Sequence, residues 1–349
     1  MEGARLMDFT VSGEPAHTRC LDVVVRQGAS GTLAFRGDLL DLRKGGFMDL
    51  AGHLATSGII HRMALWGDFD AGSGVLQHLD AEQTHVAHES NDATGGECCR
   101  DPIGRLSGLV GTAFGGGFLS GLKERFGGPL GCTHINTLFQ EASALIAGLE
   151  QQGDGWGRYE GARGAGDRIA SRSVFLDGVG LAGGEAVDLS VRVSDLTLAG
   201  VDAAGNEQLG SHDELRLIAT VELAGWRLRA IRAAERIRPA VAFDDAEWVS
   251  RTAEIEDFAE MSLAGGMARK CLERFGGDPE STRLLSALLS LSPGMTQVPA
   301  SLTDSIARSE GGGGYEGSQL AGPGPCYMLR AGGPLMQSLQ GGMASKPDA

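Results

Sequence analysis

The sequence lacks most of the marks that announce a compartment or a familiar cofactor. No stretch of the 349 residues approaches 18 uninterrupted apolar positions. The start MEGARLMDFT has no basic flank leading into a hydrophobic core. Neither a membrane-spanning helix nor a secretory signal is therefore expected, and a cytoplasmic location is. Six cysteines without a CxxC pair argue against a disulfide framework or a structural zinc site and predict reduced thiols. No basic patch interrupts the acidic excess: 45 Asp and Glu against 30 Lys and Arg leave a formal charge of -15. Such a surface repels phosphate backbones and anionic membranes, so neither nucleic acid nor a membrane is expected as a partner.

The nucleotide and hydrolase signatures are missing as well. Glycine runs such as FGGGFLSG do not meet GxxxxGK[ST], no GxGxxG lies between a strand and a helix, and no GxSxG elbow supports a serine triad. No HxH, HExxH or HxxxH pair offers a compact metal site. A metal held by dispersed ligands remains open, but the reading adopted is a site without a cofactor.

What is present is glycine, 55 of them, many paired in loops and helix ends. The length has room for two ordinary domains, and 42% hydrophobic content can fill a core. An internal echo divides the chain. GGGFLSGLKERFGG, from Gly115, returns as AGGMARKCLERFGG, from Ala264. Upstream, HRMALWGDFDAGSGVLQHLDAE and ELRLIATVELAGWRLRAIRAAE both read as two strand-like runs joined by a turn. The predicted fold class is α+β, a tandem duplication of an antiparallel sheet plus a helical hairpin. Its parts are a catalytic half over 1–150, a linker or long loop over 151–168, a diverged second copy over 169–295 and an irregular glycine-rich segment over 296–349. Leu119, Leu122 and Phe126 space one helix before a Gly-Gly stop, and Ile135, Leu138, Phe139, Leu145 and Ile146 space the next.

The two copies differ in ionisable chemistry. Seven of the eight histidines lie in the first half, and His212 alone lies in the second. Where the first copy reads Cys132-Thr133-His134, the second reads Ser281-Thr282-Arg283. With Thr133 as the expected N-cap, His134 sits at a helix N-terminus, where free N–H groups and the helix dipole suit an anion and keep the imidazole neutral. Cys132 could be activated there, or it could be buried filler beside an ordinary cap. In EPAHTRCLDVVV, His17 and Arg19 share a face by period-two alternation, and GIIHRMALW puts His61 at a strand start.

In order, HTRCLDVVV, RGDLLDLRK, IIHRM, LDAE and LGCTHINTLF resemble the DUF2889 family of bacterial proteins of unknown function, over about Ala16 to Leu149. The chain departs from the family pattern at Arg36, Arg62 and Thr137. The resemblance implies a carbon–carbon lyase that acts without a cofactor, releasing formaldehyde from the hydroxymethyl side chain of a lignin-derived aromatic dimer and leaving a stilbene. Carried onto this sequence, it makes His134 or His61 the base and gives Arg19 with His17 the phenolate or leaving oxygen. Asp41 or Glu82 orients the base, Cys132 and Thr133 stand beside it, and Tyr327 arrives from the C-terminal segment. The expected partner is a small aromatic substrate, with a homo-oligomer left open. The alternatives are a non-catalytic binding or assembly protein and a metal-dependent hydrolase or hydratase.

Overall fold

The computed structural model describes residues 9–29, 31–50, 53–114, 118–151, 163–302 and 326–338. Most of the expected linker over 151–168 and much of the segment over 296–349 lie outside the described residues.

Alternation of apolar and polar residues sets the strands. In β1 (Glu14–Gln27), Leu21, Val23 and Val25 are buried, while the residues between them are more open. β2 (Thr32–Leu50), β3 (His53–Asp70) and β4 (Leu76–His85) follow as a meander. Two helices come next, α1 (Phe118–Phe126) and α2 (Thr133–Gln151), at the places their spacing predicts. A second meander runs through β5 (Arg168–Gly180), β6 (Ala186–Val201), β7 (Glu207–Glu222), β8 (Leu228–Arg236) and the short β9 (Val249–Ser250). Helices α3 (Met267–Phe275), α4 (Thr282–Met295) and α5 (Val298–Ser301) close the order. No described helix is long and apolar enough to cross a membrane.

The strands form one antiparallel sheet of nine, in the order β4-β3-β2-β1-β5-β6-β7-β8-β9. The sequence predicts a sheet for each half; instead β1 pairs with β5, Leu21 opposite Val174, and the two meanders merge. The merger has a simple cause. Separate sheets of four and five strands would each expose a long unpaired first strand, and pairing them satisfies both rows of backbone groups. The core is continuous across the join: Leu138 and Phe139 of α2 and Leu288 and Leu291 of α4 belong to the cluster that holds Val23 and Leu176. The opposite sheet face is exposed at Arg36, Asp38 and Phe175.

Helix α2 lies close on the sheet because β2 has a glycine beneath it. A Cβ on Gly37 would stand 3.0 Å from Leu138 Cδ2. One and a half turns before Leu138, the helix begins over the polar end of β2.

Candidate functional site

The inward face of the first meander is apolar apart from Gln27 at one end and a polar group at the other. There Arg19, Asp41 and His61 form a row across β1, β2 and β3, each opposite the next in register. The ladder slips by one residue beside this row, at Ala16 in β1 and at Ile60 in β3, so His17 and His61 each follow a bulge. Bulges of this kind re-aim side chains and gather beside active sites. From above, α2 brings in His134.

Asp41 is the centre of the group and has no exposed surface. Arg19 grips it with two parallel bonds, Nε to Oδ1 at 2.7 Å and Nη2 to Oδ2 at 2.9 Å. His61 Nδ1 and His134 Nε2 each stand 3.1 Å from Oδ2. His17 Nε2 is 3.4 Å from Oδ1, with geometry too poor for a hydrogen bond, and both of its ring nitrogens lack one. The His61 and His134 rings are in contact, with centroids 3.9 Å apart and planes tilted by 35°.

Electrostatics fixes the protonation of this group. Burial works to raise the Asp41 pKa, but Arg19 and the surrounding histidines outweigh it and hold the carboxyl well below its ordinary range. An ionised carboxylate only accepts hydrogen bonds, so His61 donates from Nδ1 and His134 from Nε2. Burial, with the neighbouring His61 adding to it, lowers His134 to about 3 against the pull of Asp41. Burial also lowers His17. His134 is thus a neutral imidazole whose Nδ1 lone pair faces the Cys132 thiol, 3.8 Å away. On His61 it is Nδ1 that meets Asp41, and Nε2 is the nitrogen turned away from it.

Cys132 holds the helix start in place. Its carbonyl accepts the Asn136 N–H at 3.0 Å, making Cys132 the N-cap and Thr133 the first residue of the helix. This corrects the expectation that Thr133 is the cap. The Cys132 sulfur takes the side-chain capping role, accepting from the N–H groups of Ile135 and His134. Burial still pushes its thiol up to about 11, so an activated thiolate is not what this position makes. Gln83 supports the sulfur, with Nε2 3.5 Å from Cys132 Sγ and 3.3 Å from Met63 Sδ.

Two other expected residues stand elsewhere. Glu82 lies on the exposed side of β4, and Gln83 takes the inward place beside it. Of the two carboxylates, Asp41 is the one that meets the histidines. Tyr327 sits at the turn before α2: its N–H bonds the Gly131 carbonyl at 2.8 Å, and its ring lies under Arg330 and Arg105. It touches the loop that carries Cys132, not the histidines. Gln83 is not among the residues the sequence motifs single out, although it shares the inward phase of Leu79 and Ala81.

Residues 17–147, which take in every member of the cluster, match the family model described as "Protein of unknown function (DUF2889)". The match supports that family for the first half of the chain. No curated protein and no solved structure matches the sequence.

Proposed function

We propose that the first half is an acid–base enzyme in which His61 moves a proton through Nε2. The observation that carries this reading is the single buried carboxylate, Asp41, accepting from His61 and His134 while Arg19 keeps it ionised. A carboxylate fixed on Nδ1–H orients the ring, holds one tautomer and stabilises the imidazolium formed when Nε2 takes a proton. The adjacent neutral His134 supports the geometry without adding a charge of its own.

The reaction proposed is the one that the family resemblance implies. In a phenylcoumaran or diarylpropane dimer, a para-phenolate expels the benzylic oxygen and becomes a quinone methide. His61 then takes the proton of the γ-hydroxyl. The electrons of that O–H bond form the carbonyl of formaldehyde, the carbon–carbon bond breaks, and its pair restores the phenolate of a stilbene. Each step needs a base and a place for anionic oxygen.

We also read the two halves as copies of one unit. The order of strands and helices repeats, α2 and α4 both begin at a Thr, and Arg172 and Asp195 are register partners in β5 and β6 as Arg19 and Asp41 are in β1 and β2. The counterpart of His134 is Arg283, whose Nε bonds Glu235 at 2.7 Å and whose Nη1 lies 3.4 Å from Asp195 Oδ2. On this reading the second half is a scaffold locked by ion pairs.

One observation favours a metal-dependent hydrolase or hydratase instead: Asp41, His61 and His134 offer ligand atoms all within 4.8 Å of one another. Against it, Arg19 already covers both carboxylate oxygens and would set a fixed positive charge beside the ion.

Incubating the purified chain with a panel of such dimers is expected to yield formaldehyde and a stilbene in equal amounts, and the yield should survive a chelator. Formaldehyde from no member of the panel would sink the lyase reading. Activity lost with chelator and restored by a divalent cation would favour the metal site.

A further inference from the structure

The second half shows what the first half is missing. Arg172 uses its guanidinium as Arg19 does: Nε and Nη2 each bond Asp195, at 2.7 Å. Its remaining nitrogen, Nη1, is met by a second carboxylate, Glu141 Oε2, at 3.4 Å. Glu141 comes from α2, where the Ser286 hydroxyl of α4 donates to its other oxygen at 2.7 Å. Arg172 therefore has an acceptor for each face of its fork. The Arg19 fork does not. Its Nη1 is buried and has no hydrogen-bond partner, and both nitrogens of the fully buried His17 on the same strand lack one too.

The helix positions explain the difference. Glu141 is eight residues beyond Thr133, the first residue of α2, and eight residues beyond Thr282, the first residue of α4, stands Ser290. Ser290 is buried, and its short side chain turns back to bond the Ser286 carbonyl at 2.9 Å. If the halves are copies, Ser290 is the counterpart of Glu141, and its two-atom side chain is too short to offer an arginine what the Glu141 carboxylate offers Arg172. Leaving a charged donor buried without an acceptor is destabilising, a penalty that a ligand oxygen would remove.

We infer that Arg19 Nη1 and His17 form a subsite for an anionic oxygen of the substrate, a carboxylate or a phenolate, in the place that Glu141 occupies against Arg172. This deepens the acid–base reading, on which it rests for the role of the site, and it identifies the substrate as one that carries a negative oxygen beside the group His61 deprotonates. A phenolate in this seat would be held as its charge develops and returns. A carboxylate would serve as an anchor.

Calorimetric titration with sodium benzoate, 4-nitrophenolate and neutral benzyl alcohol tests the subsite without turnover. The wild-type chain is expected to bind one of the two anions at least tenfold more tightly than benzyl alcohol, and which anion it prefers tells carboxylate from phenolate. Ser290→Asp, which supplies an internal carboxylate, should weaken that binding at least tenfold. Arg19→Lys, tested alongside in case the buried Asp prevents folding, should do the same because an ammonium cannot grip Asp41 twice and still reach outward. His61→Ala should keep anion binding, so a wrong reaction assignment and a wrong subsite give different results. Binding of neither anion by the wild-type chain, or equal binding by the wild type and whichever variant folds, would overturn the inference.

Discussion

Replacing His61 by alanine is expected to lower turnover by about 10²–10⁴-fold, the usual contribution of a positioned general base. The loss should fall on kcat, because His61 Nε2 acts on a proton during reaction. The substitution removes one of the donors to Asp41 but leaves Arg19 and His134 in place, so the chain should still fold. His134→Ala is the informative companion. Its Nε2 is held by Asp41 and its Nδ1 faces Cys132 Sγ, so neither nitrogen is turned to substrate. A smaller loss in His134→Ala than in His61→Ala assigns the base to His61; the reverse order reassigns it. Steady-state rates of formaldehyde release measure both.

The largest effect on stability is expected from Asp41→Ala. It strips the buried Arg19 guanidinium of both its acceptors and leaves two imidazole N–H groups without theirs. Breaking a buried ion pair by removing one partner costs about 3–5 kcal/mol, since the stranded charge stays out of water. A matched control is available on the other face of the same strand. Asp38 also makes a paired bond to an arginine, Arg36, but both side chains are more than half exposed, at 54% and 53%. Asp38→Ala should cost about 0–1 kcal/mol. Urea denaturation of the two variants beside the wild type measures the contrast. Equal costs would mean that burial does not set the strength of the Asp41 pair.

Much of this arrangement is legible in the sequence, and the parts that are not have identifiable causes. The helices announce themselves through spacing and their Gly-Gly breaks. Arg19 and His17 stand in a strand whose alternation is clean enough to place both inward. The choice between Asp41 and Glu82 is not legible, because β3 and β4 slip in register at Phe69 and Leu76 and the slip resets which residues of β4 face inward. Counting by twos from Leu76 puts Glu82 inside, whereas the bulge puts Gln83 there. The capping role passes from Thr133 to Cys132 through a shift of one residue, which lies within the ordinary uncertainty of a helix boundary read from sequence. The single sheet is invisible to any reading that treats each half alone, since the β1–β5 pairing joins strands about 150 residues apart in sequence. The echo of Ser-Thr-Arg against Cys-Thr-His is legible, but its consequence is not. Only in three dimensions do Arg172 and Glu141 show which atom of Arg19 is left unsatisfied.

The central claim is that an ionised Asp41 accepts from His61 Nδ1 and from Nε2 of a neutral His134. Nitrogen-15 NMR of the imidazole side chains across a pH titration tests it most directly. The account predicts His61 protonated on Nδ1 and His134 protonated on Nε2 at neutral pH, with His134 still neutral at pH 5 because its pKa lies at about 3. An imidazolium signal from His134 at pH 6, or an Nε2-protonated His61 at neutral pH, would contradict it.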